Sequence, residues 1–395
     1  MADAPAGILV LNQIAASGLA RLPAARYTVG KDVADPVAIL VRSADLHAMA
    51  IPASVRAIAR AGAGTNNIPV AAMSARGVPV FNAPGANANA VKELVLAGML
   101  MAARHLAGAL RFTAALDAAA PGLEKAVEDG KKAFAGFELA GKDLGIVGLG
   151  KVGSGVADAA IKLGMNVIGY DPEITVDAAW SLPSQVRRAA SVDEVLKHAH
   201  FVSLHVPLLP ATRHLVGAQN LPLMRKGAVL LNFSREGIVD DAAAVAALDA
   251  GRLGHYVCDF PNATVHGHPK VTALPHLGAS THEAEENCAV MVVEQLRDFL
   301  DHGNIVNAVN FPAVSMARES GWRVAIANAN VPNMLGQIST AMANAGLNIH
   351  NMVNKSRGEM AYTLVDVDSP VPASVLAAIA AIGGVLSVRG LPASA

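Results

Sequence analysis

The chain has 395 residues, with 31 Lys plus Arg against 32 Asp plus Glu and a formal net charge of −1, so it carries no excess of positive charge to hold a nucleic acid. Hydrophobic residues make up 53%, yet Lys, Arg, Asp, Glu, Gly or Pro cut every apolar run short of the roughly 18 residues a membrane-spanning helix needs. The start, MADAPAGILVLNQ, lacks the basic and long apolar regions of a secretory signal, so neither nucleic acid nor membrane is an expected partner, and the expected location is the cytoplasm.

Short aliphatic runs at residues 7–11, 38–41, 55–59 and 78–81 alternate with helical patterns, which predicts a βαβ rhythm and a parallel sheet. Residues 88–107, rich in Ala, Leu and Met, read as one long helix leading into a second domain. KDLGIVGLGKVG, at 142–153, gives strand, Gly-rich turn and helix start. Further strands are expected at 166–170, 201–205, 228–232, 256–259 and 272–274, making a six-stranded dinucleotide-binding sheet. A helix over 281–302 leads to GNIVNAVNFP, which reads as a linker, and the remaining residues repeat a βαββαβ order that suggests a small separate domain. Cys258 and Cys288 have no CxxC spacing and are expected as small core residues in a reducing compartment. His266 and His268 lack a third ligand at a suitable spacing, so no metal site is expected.

Gly148, Gly150 and Gly153 form a GxGxxG that follows a strand and opens a helix. In that context the glycines let backbone approach a pyrophosphate, whose charge faces the free N–H groups of the helix start. Asp171, at the end of the next strand, is placed to accept hydrogen bonds from ribose hydroxyls and to repel a 2′-phosphate, which predicts NAD as the cofactor. His205, the run Asn232 to Arg235, Asp259 and His276 fall at the carboxyl ends of the later strands, the edge where open parallel sheets bind ligands. Hydride transfer from a 2-hydroxy acid needs a cation to hold the carboxylate and polarise the developing carbonyl, which suits Arg235. It also needs a base titrating near neutrality, which suits His276.

NFSREGIVD (232–240), PHLGAST (275–281), HVPLLPATRHL (205–215) and RAGAGTNNI (60–68) resemble the D-isomer-specific 2-hydroxyacid dehydrogenases, and the tail resembles an ACT domain. The resemblance implies an α/β fold in which a Rossmann-type NAD domain is inserted in a flavodoxin-like substrate domain, with a C-terminal βαββαβ ACT domain. It places the substrate domain at 1–90 and 280–312, the NAD domain at 91–279 and the ACT domain at 320–395. It implies that Arg235 and His276 are catalytic, and that Lys151, Val152, His205, Val206, Pro207, Phe233, Ser234, Asp259, Gly278 and Ala279 surround NAD with Asp171 and the glycines. Ala61, Gly62 and Ala63 would bind the substrate carboxylate through their amides, and Arg42 and Arg60 a substrate phosphate. The implied activity is oxidation of 3-phospho-D-glycerate to 3-phosphohydroxypyruvate, the entry to serine synthesis. A hydroxypyruvate or glyoxylate reductase is the rival within the family, and a non-catalytic NAD sensor the rival outside it. Asn330 and Asn348 fall where members of the family contact an L-serine effector, and a homodimer or homotetramer is expected.

One departure stands out. The family pairs its catalytic His with a Glu from the preceding segment, whereas CDFPNATVHGHPKVTALPH has no acidic residue between Asp259 and His276. Asp259 and Glu236 are the candidate replacements.

Overall fold

The computed structural model describes residues 5–119 and 121–391; the outermost ends of the expected first and last domains, 1–4 and 392–395, lie outside the described residues. The chain divides into two compact units, Met1–Asn87 with His282–Ala395, and Ala88–Thr281.

In the first unit, β1 (Ala6–Leu11), β2 (Tyr27–Gly30), β3 (Ala38–Val41), β4 (Ala57–Arg60) and β5 (Val80–Phe81) form a parallel sheet in the order β2-β1-β3-β4-β5. That is the flavodoxin-like order. The AILV run of β3 is buried at all four positions, as expected of a central strand covered on both faces. The long helix His282–His302 returns to this lobe and buries Cys288, Val292, Leu296 and Phe299 against it.

The second unit holds β6 (Asp143–Val147), β7 (Asn166–Tyr170), β8 (Arg187–Arg188), β9 (Phe201–Leu204), β10 (Ala228–Asn232), β11 (Leu253–Cys258) and β12 (Val271–Ala273). They line up as β12-β11-β10-β9-β6-β7-β8, the doubly wound dinucleotide-binding order with one further strand at an edge. The sheet has seven strands where the sequence predicts six, because β8 is two exposed arginines with no apolar signature. The helix expected over 88–107 stops at Ala103; His105 takes φ 50° and a second helix, Leu106–Ala114, leaves at 68°. Among the described residues no single helix is long and apolar enough to cross a membrane.

At the C-terminus β13 (Trp322–Ala329), β14 (Ile349–Arg357), β15 (Met360–Val367) and β16 (Val385–Leu391) form an antiparallel sheet in the order β14-β15-β13-β16. With the helices Met334–Asn344 and Ala373–Ala380 it completes the expected βαββαβ order. Val324, Ile326 and Val365 point to these helices, while Ala325, Ala327, Tyr362 and Leu364 point to Phe299 and Phe311 of the first lobe. Both faces are therefore covered. The expected linker is part of this packing: Ile305 and Phe311 are fully buried and Ala308 pairs with Phe81. Arg323 and Asp366, register partners on β13 and β15, form an ion pair with both side chains 0% exposed. The guanidinium donates to both carboxylate oxygens and to the carbonyls of His302, Met316 and Ala317, so every donor around this buried charge is used.

Candidate active site

β6 runs into Gly148, where φ is +94° and a Cβ would stand 2.6 Å from the His205 carbonyl oxygen. A Cβ on Gly153 would stand 1.9 Å from the Gly148 oxygen, so the helix Lys151–Lys162 is packed directly on the turn. Gly150 is different: a Cβ there would meet nothing within 4 Å. The middle glycine thus borders open space at a helix start, with room for a pyrophosphate beside unpaired N–H groups of Lys151 and Val152. Asp171 follows β7; its Oδ2 accepts from Leu149 N–H at 2.8 Å and its Oδ1 from Glu173 N–H at 3.0 Å. The turn fixes the carboxylate, whose remaining lone pairs are free to accept from two hydroxyls.

His205, Val206 and Pro207 continue from β9. Ser203 Oγ lies 2.9 Å from His205 Nε2, and desolvation pushes the His205 pKa down to about 4, so this ring stays neutral. Ser234 Oγ donates to the Val206 carbonyl, tying the segment after β10 to the one after β9. Phe233 is buried, its ring 2.9 Å from where a Cβ on Gly98 would lie.

Asn232 closes β10 and shapes the turn that presents Arg235. Its Nδ2 donates to the Arg235 carbonyl at 2.9 Å and its Oδ1 accepts from Ser234 N–H at 3.2 Å. Arg235 itself is exposed, with Nη1 donating to the Ser234 carbonyl at 2.6 Å.

Asp259, 1% exposed, holds the loop that carries His276. Its carbonyl accepts from His276 N–H, and its two carboxylate oxygens accept from Leu277 and Gly278 N–H at 2.7 Å each. Burial pushes the Asp259 pKa up, and the two amides pull against that shift. His276 is exposed and held at φ 57°, an uncommon conformation for a non-glycine residue. Neither Asp259 nor Glu236 hydrogen-bonds its imidazole, although the Asp259 carboxylate lies within the field of His276. Phe260 stands beside the imidazole, its ring edge-on with centroids 5.0 Å apart. Ala279 follows Gly278 on the same loop.

In the first unit, Val41 and Arg60 are register partners, which puts Arg42 and Arg60 at adjacent strand ends. Arg42 Nη2 is 2.7 Å from Glu285 Oε1, and Arg60 Nε donates to Asn67 Oδ1 at 3.1 Å. The amides of Ala61 and Gly62 are spent on the carbonyls of Val41 and Arg60, which leaves the Ala63 and Gly64 amides without an acceptor among the described residues. Of the predicted Ala61 to Ala63 segment, Ala63 is therefore the residue whose amide stays available.

The NAD binding domain profile of the D-isomer specific 2-hydroxyacid dehydrogenases matches residues 96–278. D-3-phosphoglycerate dehydrogenase of Escherichia coli is 33% identical over 342 residues, covering 82% of this chain and 79% of its own. The chain belongs to the D-isomer specific 2-hydroxyacid dehydrogenase family. D-3-phosphoglycerate dehydrogenase of Methanocaldococcus jannaschii is 35% identical over 322 residues; the match spans 79% of this chain and 57% of that relative. The crystal structure of the TT0316 protein from Thermus thermophilus aligns with a TM-score of 0.63 at 27% identity, covering 77% of this chain and 99% of that one. NAD is the cofactor, and the open face at Gly150 with the anchored Asp171 fits it.

As a 2-hydroxyacid dehydrogenase, the chain keeps Arg235 and His276 on loops braced by Asn232 and Asp259. Three neighbours carry no local sequence signal: Glu285 at Arg42, Asn67 at Arg60 and Phe260 at His276. In the C-terminal domain, Asn330 Nδ2 donates to the Gly358 carbonyl at 3.0 Å, while the Asn348 N–H donates to Asp368 Oδ1 and the Asn348 carbonyl accepts from the Asp368 N–H.

Proposed function

We propose that this dehydrogenase oxidises 3-phospho-D-glycerate to 3-phosphohydroxypyruvate, the step that opens the phosphorylated route to serine. The observation that carries the substrate is the pair Arg42 and Arg60 on adjacent strand ends beside free backbone amides, a double cation that a dianionic phosphate needs and a plain 2-hydroxy acid does not. In this reading residues 1–90 and 280–312 bind substrate, 91–279 bind NAD and 320–395 form an ACT regulatory domain. Arg235 holds the carboxylate and polarises the oxygen on C2. His276 takes the hydroxyl proton on an imidazole nitrogen as the C–H bond breaks. NAD, held by the Gly148–Gly153 turn and Asp171, would supply the hydride acceptor. Ser234, tied to the Val206 carbonyl, and the buried Phe233 would hold the nicotinamide end of the cofactor. The same reading gives a cytoplasmic homodimer or homotetramer with L-serine as effector near Asn330 and Asn348.

NADH formation by the purified chain with 3-phospho-D-glycerate and with D-glycerate tests it. Arg42→Gln/Arg60→Gln is expected to raise KM for the phosphorylated substrate at least about tenfold more than for D-glycerate, and His276→Ala to lower kcat by about 10²- to 10⁴-fold with NAD binding kept. Equal losses on both substrates would remove the phosphate assignment. One observation favours a hydroxypyruvate or glyoxylate reductase instead: Arg42 is already ion-paired to Glu285. Preference for the unphosphorylated substrates in the same assay establishes that reading.

A further inference from the structure

Within the first unit a cavity of about 280 Å³ lies where the parallel lobe meets β16. Arg56, Arg76 and Arg389 line it, and none of its lining residues is an Asp or Glu. Three guanidinium groups around one cavity repel each other, and none of the three forms an ion pair with a carboxylate among the described residues, unlike Arg21, Arg26, Arg42 and Arg225. Arg76 is anchored by its Nη1 and Nη2 on the carbonyls of Ile51 and Pro52, at 3.1 and 2.7 Å, which orients the group without neutralising it. Arg56 is exposed and lies within the field of Arg389.

Arg389 is the most unusual of the three. Its guanidinium carbon sits 4.1 Å over the Phe299 ring and its Nη2 donates to the Phe299 carbonyl at 2.9 Å. Its Nη1 is buried and has no hydrogen-bond partner. The Tyr362 hydroxyl donates to the Gly303 carbonyl and turns its oxygen to the guanidinium, a neutral neighbour that brings no countercharge. A half-buried cation with a buried, unused donor and no carboxylate beside it among the described residues is unfavourable unless something else completes it. An oxyanion would do so, because each of its oxygens accepts from a guanidinium and its charge offsets the mutual repulsion.

We propose that this cavity binds a small phosphate-class oxyanion, with Arg56 and Arg76 contributed by the parallel lobe and Arg389 by the C-terminal sheet. Such a ligand ties the last strand of the chain to the lobe. Phosphate also suits Arg42 and Arg60, so the site must be read with those two removed. Isothermal titration of the full-length Arg42→Gln/Arg60→Gln chain with inorganic phosphate is expected to show one saturable event and a matching rise in Tm. Adding Arg56→Gln, an exposed position, or Arg389→Lys is expected to weaken that event about tenfold or more, with the phosphate-free Tm and far-ultraviolet spectrum showing that each variant is folded. Absence of a saturable event in the double variant, or an event that neither further substitution changes, overturns the proposal. Neither outcome touches the substrate assignment, which turnover measures.

Discussion

His276 has an aromatic ring, that of Phe260, as its neighbour, and no carboxylate hydrogen-bonds its imidazole among the described residues. Phe260 neither donates nor accepts a strong hydrogen bond, so it orients the imidazole by contact. Phe260→Glu puts an anion beside the ring, which favours the imidazolium, so the base form needed for oxidation appears only at higher pH. The acidic limb of kcat/KM in the oxidative direction is therefore expected to move to higher pH in that variant; a limb that stays in place shows that the new carboxylate does not reach the ring. The sequence by itself revealed the absence of an acidic residue between Asp259 and His276. It did not reveal what fills the gap, because an aromatic contact of this kind leaves no spacing pattern. Glu285 was hidden for a different reason, lying 243 positions from Arg42 along the chain.

Among the elements, the Gly-rich turn separates two kinds of glycine that the motif alone treats as equal. Gly153→Ala forces a methyl group against the Gly148 carbonyl, and is expected to cost about 1–3 kcal/mol in denaturant unfolding. Gly150→Ala points its methyl into open space, so unfolding is expected to change by less than about 1 kcal/mol while NAD affinity measured by fluorescence titration falls. A Gly150→Ala protein with intact NAD affinity would place the pyrophosphate elsewhere. Aliphatic strands such as β3 and β10 were legible because burial on both faces demands continuous Val, Leu and Ile. YTVG of β2 and the two arginines of β8 are strands only by virtue of the neighbour each pairs with, β1 and β7 respectively. The helix break at His105 is similarly silent, with no Gly or Pro to mark it.

For the whole molecule, the C-terminal domain is less independent than its own βαββαβ order suggests, since the segment read as a linker is buried and the sheet shares a core with the first lobe. The Arg323–Asp366 pair sits in that shared core. Arg323→Met strands a buried carboxylate and is expected to cost about 3–5 kcal/mol, whereas Arg323→Met/Asp366→Leu should recover most of it; a single variant as stable as the parent would show that water reaches the site. The pair has a second consequence, for how the chain finds its pairing. Sliding β13 along β15 by two residues leaves every side chain on its own face, so apolar patterning cannot distinguish the slipped sheet from the native one. One direction sets Arg323 against Leu364, and the other sets Asp366 against Ala325. Either slip strands an ion in oil, and the salt link thereby acts as a proofreader of strand alignment.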